Sequence, residues 1–227
     1  MSKKLVIVEK KSVAENIANA FGISMSKGTS EYFENGEYIL SWASGHLLEL
    51  KNPEDIDKKY KAWLIKDLPI LPEKFEYKVN RSKTSQSQFK IIKTLLKQKN
   101  INAVINACDP AREGELIFRE IMEHQKVKLP QERVWLTSMN KKAILKSFND
   151  IQPSKNFDCL GQAAKAREES DWLIGMNCTM ALTKRLKSKD KLSYSVGRVQ
   201  TPTLRMIVDR ENEILEHIPE KYWKIEA

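Results

Sequence analysis

Asp109-Pro110-Ala111-Arg112-Glu113-Gly114-Glu115 sets three carboxylates within seven residues. Acids so close together cannot all be buried and unpaired. They must be solvated, paired with Arg112, or bound to a cation. A few carboxylate oxygens completed by water suit a hard divalent ion such as Mg2+. Glu9 follows the apolar run Leu5-Val6-Ile7-Val8 and is placed to join them. The plain alternative is a solvated acidic turn with Glu-Arg surface pairs. The recurrence of acids after two separate apolar runs, in a chain that is otherwise basic, argues for the cation.

These acids need a scaffold. Leu5 to Val8 is a short continuous apolar run of the kind buried on both faces of a parallel sheet. Ser12-Val13-Ala14-Glu15 has the form of a capping box and predicts a helix to about Phe21. Asn35-Gly36, between alternating residues from Glu31 to Ser41, predicts a hairpin. Pro53, Pro69 and Pro72 break up the stretch from Leu50 to Pro72. Helical spacing covers Gln88 to Lys99. A buried strand is expected at Ala103-Val104-Ile105, and a helix from Leu116 to Met122. A strand over Arg133–Leu136 and a helix over Lys141–Phe148 complete the series. Alternating strands and helices give an α/β, Rossmann-like domain with a mainly parallel sheet over residues 1–152. Both acidic positions then fall at carboxyl ends of strands, where open α/β sheets collect ligands.

The texture changes after residue 152. Phe157 to about Leu186 lacks proline and strand pattern and predicts one or two long helices; another is expected over Pro202–Leu215. Residues 153–218 are therefore expected to form the first part of a mostly helical domain. Residues 219–227, with Tyr222-Trp223-Lys224-Ile225-Glu226, are expected to open a further strand-containing domain. Ser195-Val196-Gly197-Arg198-Val199-Gln200 has residues suited to a phosphodiester strand: Arg198 can fork onto a phosphate, and Ser195 and Gln200 can hydrogen-bond phosphate or base. Taken alone, the segment reads as an ordinary turn leading into a helix. Arg167 and Asp171 lie four apart on one helix face, which by itself implies a surface ion pair. Lys184, Arg185, Lys187, Lys189 and Lys191 make a basic edge nearby.

Composition limits the partners. Lys+Arg 39 against Asp+Glu 30 leaves a net charge of +9, favouring a polyanion: nucleic acid first, an anionic membrane second. No run of 18 apolar residues exists to span a membrane, and the amino terminus does not have the form of a secretory signal. A cytoplasmic location is expected. Cys108, Cys159 and Cys178 are an odd number without Cys-x-x-Cys, which fits neither a disulfide framework nor a zinc site.

Val6-Ile7-Val8-Glu9-Lys10 with Asp109 to Glu115 resembles the Toprim fold of topoisomerases, bacterial primases and some nucleases. Further motifs are Gly45-His46-Leu47-Leu48-Glu49-Leu50, Leu68-Pro69-Ile70-Leu71-Pro72, Ala166-Arg167, Ser170 to Asn177 and Gly197 to Leu204. With these the chain is similar to type IA DNA topoisomerases of the bacterial topoisomerase III type, over nearly its whole length. The resemblance implies a metal set of Glu9, Asp109 and Glu113. It also implies catalytic roles for Glu9, as a proton donor to the leaving 3′-oxygen, and for Lys10 beside the scissile phosphate. DNA contacts are implied at Arg167, Asp171, Ser195, Val196, Gly197, Arg198, Val199 and Gln200. The family's Asp-x-Asp-x-Glu motif has Ala111 at its middle position here. Mg2+ and single-stranded DNA are the implied cofactor and partner, and a monomer is expected.

The activity implied for the intact enzyme is ATP-independent relaxation of negatively supercoiled DNA and decatenation. None of Tyr32, Tyr38, Tyr60, Tyr77, Tyr194 and Tyr222 stands in the family's tyrosine-proline-arginine context. The chain is therefore expected to be an amino-terminal portion that is inactive alone. Two alternatives stay open: a Toprim nuclease or primase-like enzyme, which needs no tyrosine, and a non-catalytic DNA-binding module.

Overall fold

The computed structural model describes residues 2–25, 31–186 and 192–226. Along the chain, β1 (Lys3–Val8) leads into α1 (Lys11–Phe21), followed by β2 (Ser24–Met25), β3 (Phe33–Glu34), β4 (Tyr38–Trp42) and β5 (Leu48–Leu50). A single turn of helix, α2 (Pro53–Ile56), and two 3-10 turns precede β6 (Tyr77–Val79). Then come α3 (Lys83–Leu95), β7 (Ile101–Asn106), α4 (Arg112–His124), β8 (Gln131–Arg133), α5 (Lys141–Asn149) and β9 (Gln152–Pro153). The last helices are α6 (Asp158–Leu186) and α7 (Gln200–Leu215).

The main sheet has the order β2-β3-β4-β1-β7-β8-β9. Its centre, β4-β1-β7-β8, is parallel, while β2-β3-β4 and β8-β9 add antiparallel edges. Strand alternation divides β1 between two cores. Val6 and Val8 pack with Ile17 of α1 and Ile144 and Phe148 of α5. Leu5 and Ile7 pack on the opposite face with Phe89 and Ile92 of α3 and Phe118 of α4. All four of these side chains are fully buried, at about 1.5–3 kcal/mol of gross stabilisation each. That explains the unbroken apolar run, which a sheet with one wet face would not need.

The chain divides into two compact units, residues 1–52 with 73–169, and residues 53–72 with 170–227. The first half of α6 belongs to the first unit and its second half to the second. In the second unit, Asn177 on α6 grips the backbone of Ile70: Ile70 N donates to its Oδ1 (2.6 Å), and its Nδ2 donates to the Ile70 carbonyl (3.0 Å). A proline-interrupted segment that no regular ladder could hold is thereby given one.

Several expectations differ from the fold. The capping box does not form. Lys10 occupies the N-cap of α1, its carbonyl accepting from Val13 N and Ala14 N, so Ser12 and Glu15 lie inside the helix. Glu15 pairs with Lys11 instead, at 3.8 Å. α3 begins earlier than its apolar spacing implies, because Ser82 Oγ caps it by accepting from Ser85 N. β8 sits two residues before the expected Arg133–Leu136; Val134 N still donates to the Asn106 carbonyl, and Trp135 and Leu136 lie beyond the strand. Tyr222 to Glu226 form no strand; Tyr222, Trp223 and Ile225 are 86%, 91% and 93% exposed. No strand among the described residues offers them a ladder, and an unpaired strand is not stable in water.

Candidate functional site: an acid pair at the strand ends and an extended basic segment

Glu9 leaves the carboxyl end of β1, and Asp109 follows the carboxyl end of the adjacent, parallel β7. The two carboxyl groups face each other. Burial first, then the charge and hydrogen bonding of Asp109, hold the Glu9 carboxyl above its usual range. Lys10 Nζ lies 3.8 Å from Glu9 Oε1 and offsets part of this. Two carboxyls pressed together while one resists ionisation form a site where a hard cation would relieve repulsion, so the residues present fit Mg2+.

The acidic turn is shaped from behind by groups that sequence reasoning passed over. Arg133 is fully buried on β8. Its Nη1 donates to the Asn106 side chain (2.8 Å) and the Cys108 carbonyl (2.9 Å), and Nη2 to the Asp109 carbonyl (2.7 Å). Its charge is answered by buried Glu115, 3.4 Å from Nε, an ion-pair distance that leaves Nε without a hydrogen bond of its own. Trp135 lies against the guanidinium, 5.1 Å from ring centroid to Cζ. Glu115 also accepts from Arg119 Nε (2.6 Å) and Asn106 Nδ2 (3.1 Å). Glu115 is thus a structural anion rather than a partner to a bound metal. Gly114 permits the closest approach: a Cβ there would fall 2.2 Å from the Asp109 carbonyl oxygen. Ala111 occupies the N-cap of α4 without any side-chain cap.

Glu113 faces His46, with Oε2 4.0 Å from Nε2. On the ring's other side, Nδ1 lies 3.6 Å from Oε1 of Glu120, a buried carboxylate on α4. That is an ion-pair distance, too long for a hydrogen bond. The Glu120 carboxylate holds His46 above its ordinary range, against the opposing effect of burial. Burial pushes Glu120 itself up to about 7. Tyr77 Oη donates to Glu168 Oε2 at 2.7 Å, and Glu168 too is held high by burial. Of the expected set, Glu9 and Asp109 interact directly, and Glu113 lies beside His46, whose charge also reaches Glu9. Among the described residues, no group of three or more His, Cys, Asp or Glu side chains is disposed to hold a metal ion.

The pH response follows in sign. A carboxyl with a folded pKa near 7 and an unfolded value of 4.5 is most favourable to folding below pH 4.5. That contribution is lost as pH rises to about 7, and His46, also raised, acts in the same sense as pH rises from 6.5. Glu120→Gln is expected to flatten the decline in stability between pH 5 and 8. Urea midpoints at four pH values check this; an unchanged slope would remove Glu120 as its source.

In the second unit, residues 194–197 are strapped to α6. Tyr194 N donates to Thr183 Oγ1 (2.9 Å) and Val196 N to Thr179 Oγ1 (2.9 Å). The two threonines are one turn apart, so consecutive turns of helix hold alternate residues of the segment. Arg198 Nη1 meets Asp171 Oδ1 at 3.1 Å, and Gln200 Nε2 donates to Ser195 Oγ at 2.7 Å. Arg198, Val199 and Gln200 are exposed. A groove lined by Asp171, Val196, Gly197, Arg198 and Thr203 runs beside them. Arg167 lies on α6 one turn before Asp171. Lys187, Lys189 and Lys191 lie outside the described residues.

A family model described as the Toprim domain matches residues 4–139. The chain belongs to the Toprim family. A second model, described as DNA topoisomerase, matches residues 155–227. Over 227 residues the chain is 43% identical to a DNA topoisomerase 3 of Bacillus cereus, covering 100% of this chain and 30% of that protein. It is 41% identical over 223 residues to the DNA topoisomerase 3 of Staphylococcus epidermidis, covering 98% of this chain and 30% of that one. The chain thus spans about 30% of the length of these relatives. The structure of full-length topoisomerase I from Thermotoga maritima covers 96% of this chain and 32% of its own, at a TM-score of 0.61 and 23% identity. This last likeness is one of fold alone. The Toprim match encloses Glu9, His46, Asp109 and Arg133, and the topoisomerase match encloses Arg167, Asp171 and Ser195 to Gln200. His46 carried a sequence signal, as part of Gly45 to Leu50. Arg133 and Glu120 had none, since a lone arginine in a strand and a glutamate in a helix are ordinary until their burial is known.

Proposed function

We propose that this chain is the amino-terminal, Toprim-bearing part of a type IA DNA topoisomerase of the topoisomerase III type. On this reading the intact enzyme relaxes negatively supercoiled DNA and decatenates without ATP, with Mg2+ as cofactor. The observation that carries the reading is the facing pair Glu9 and Asp109 at the ends of two adjacent parallel strands. When bound there, Mg2+ supplies positive charge to phosphate oxygens. Glu9, whose carboxyl burial and Asp109 hold above its usual range, can hand a proton to a departing 3′-oxygen. Lys10, exposed beside it, can meet charge developing on the phosphate. Glu113 stands ready beside His46 as a further ligand.

The strapped segment Ser195 to Gln200 binds the single strand. Arg198, already oriented by Asp171, takes a phosphate, Ser195 and Gln200 take phosphate or base edges, and Val196, Gly197 and Val199 give close backbone approach. Arg167 adds a second cation from α6. No helix among the described residues is long and apolar enough to cross a membrane. The proposal includes a cytoplasmic, monomeric protein whose nucleophilic tyrosine lies outside these residues.

The test is binding of this chain to labelled single-stranded and duplex oligonucleotides across salt concentrations, with and without Mg2+, scoring cleavage. The expected result is salt-sensitive binding that favours single strands and leaves them uncut. Arg198→Ala should weaken single-strand binding by about tenfold, the worth of one charge-assisted hydrogen bond of 1.5–3 kcal/mol at its lower end. Metal-dependent cutting that survives replacement of all tyrosines would replace this reading with a Toprim nuclease.

A further inference from the structure

From residue 77 to residue 108 the chain carries seven Lys and Arg residues and not one Asp or Glu. Most of this run is α3 and its exit. Lys90, Lys93 and Lys97 recur at helical spacing on the exposed side, opposite Phe89, Ile92 and Leu95 in the core. Across from the end of α3, the loop after α4 adds Lys126 and Lys128, and between the two runs a cleft of about 260 Å3. Lys93, Leu96, Lys97, Gln125, Lys126 and Lys128 line it, with no carboxylate. The four lysines are exposed, and among the described residues none of them forms an ion pair. His124 at the end of α4 is held below its ordinary range by burial and then by Lys93, as expected where positive charge is uncompensated.

Topology separates this cleft from the acid pair. α3 ends there before the chain enters β7 at Ile101, and α4 ends there before the chain enters β8 at Gln131. The cleft therefore lies at the amino ends of β7 and β8, whereas Asp109 follows the carboxyl end of β7. Six residues of strand put about 20 Å between the two ends.

We propose that this four-lysine cleft is a second DNA-binding surface of the Toprim unit, taking the phosphate backbone of duplex DNA independently of base sequence. Ammonium groups are point charges without a fixed fork, suited to positioning on phosphates rather than to reading bases. No aromatic side chain lines the cleft, so nothing there would stack on the bases of a single strand. No large apolar side chain of α3 or of residues 125–129 is exposed to enter a bilayer, which disfavours a membrane surface. The inference shares with the proposed function the premise that the protein works on DNA, but it concerns other residues and the other form of DNA.

The experiment uses the whole chain and a labelled duplex of about 20 base pairs, between about 50 and 200 mM salt. The variant Lys93→Gln/Lys97→Gln/Lys126→Gln/Lys128→Gln is compared with Lys141→Gln/Lys142→Gln/Lys146→Gln, which removes exposed charge from α5 on the other face of the sheet. Circular dichroism checks that both fold. The cleft variant should lose about tenfold or more in duplex affinity at 100 mM salt, and its log K against log salt slope should shrink by about 3. The α5 variant should change neither by a comparable amount. Equal losses in both variants, or no loss in the cleft variant, would overturn the proposal. So would unchanged DNA binding with lost binding to phosphatidylserine vesicles, which would make the cleft a membrane contact. Single-strand binding by Arg198→Ala is measured alongside. If that variant binds normally while the cleft variant does not, the Ser195 to Gln200 reading fails and the cleft stands. If only Arg198→Ala is impaired, the reverse holds.

Discussion

Replacing Arg133 by methionine is expected to destabilise the first unit by about 3–5 kcal/mol, the usual cost of breaking one partner out of a buried ion pair. The guanidinium is fully buried and ties the Asn106 side chain to the Cys108 and Asp109 carbonyls. Methionine matches much of its volume, so the loss is polar rather than steric. The two carbonyls would lose these donors, and Glu115 would keep only Arg119 and Asn106. The Asp109 turn would also be free to move away from Glu9. Two measurements separate these effects. Urea denaturation reads the stability loss, and Mg2+ binding by calorimetry at a temperature where the variant is folded reads the acid pair. A variant with wild-type stability would show that the buried network is redundant. One that is unstable but binds Mg2+ normally would confine Arg133 to holding the fold.

Gly114→Ala should also destabilise this turn, by less and for a steric reason. The added methyl would lie 2.2 Å from the Asp109 carbonyl oxygen and 2.7 Å from its nitrogen, both backbone atoms. Neither can swing aside as a side chain can. Alanine ordinarily favours a helix over glycine by about 1 kcal/mol. Overpacking against fixed backbone costs about 1–3 kcal/mol, so the clash outweighs the propensity. The expected outcome is a net loss of up to about 2 kcal/mol with the amino terminus of α4 displaced from the turn. Thermal denaturation checks the sign: a stabilised Gly114→Ala protein would mean the turn relaxes at no cost. Gly114→Ala and Arg133→Met act on one turn, so their effects should not add.

Much of the frame was legible because it repeats simple rules. Leu5 to Val8 and Ala103 to Ile105 are buried on both faces, so an unbroken apolar run was the right signal. Asn35-Gly36 turned where it should: Asn35 Oδ1 accepts from Glu37 N and Tyr38 N. The long helix from Asp158 to Leu186 was visible as an absence of proline and of strand pattern. Boundaries were less legible, because competing caps look alike in sequence. Ser12 and Ser82 are both serines before helical stretches, but only Ser82 caps, since β1 runs so close to α1 that the turn is made at Lys10.

For the site, the residue types by themselves determined that acids gather at two strand ends, because a strand followed by an acidic turn and a helix is a local pattern. The companion expectation, that Glu113 joins Glu9 and Asp109, depended on which way one turn of α4 faces. That is a matter of tertiary packing. His46 arrives from the loop after β4, next to β1, and sits between Glu113 and the buried Glu120, a glutamate that only burial makes unusual. Likewise Arg198 and Asp171 are 27 residues apart in the chain and meet only because Thr179 and Thr183 strap the intervening segment to α6. Local order is written in neighbouring residues, whereas the partner of a long charged side chain is set by whichever element burial brings beside it.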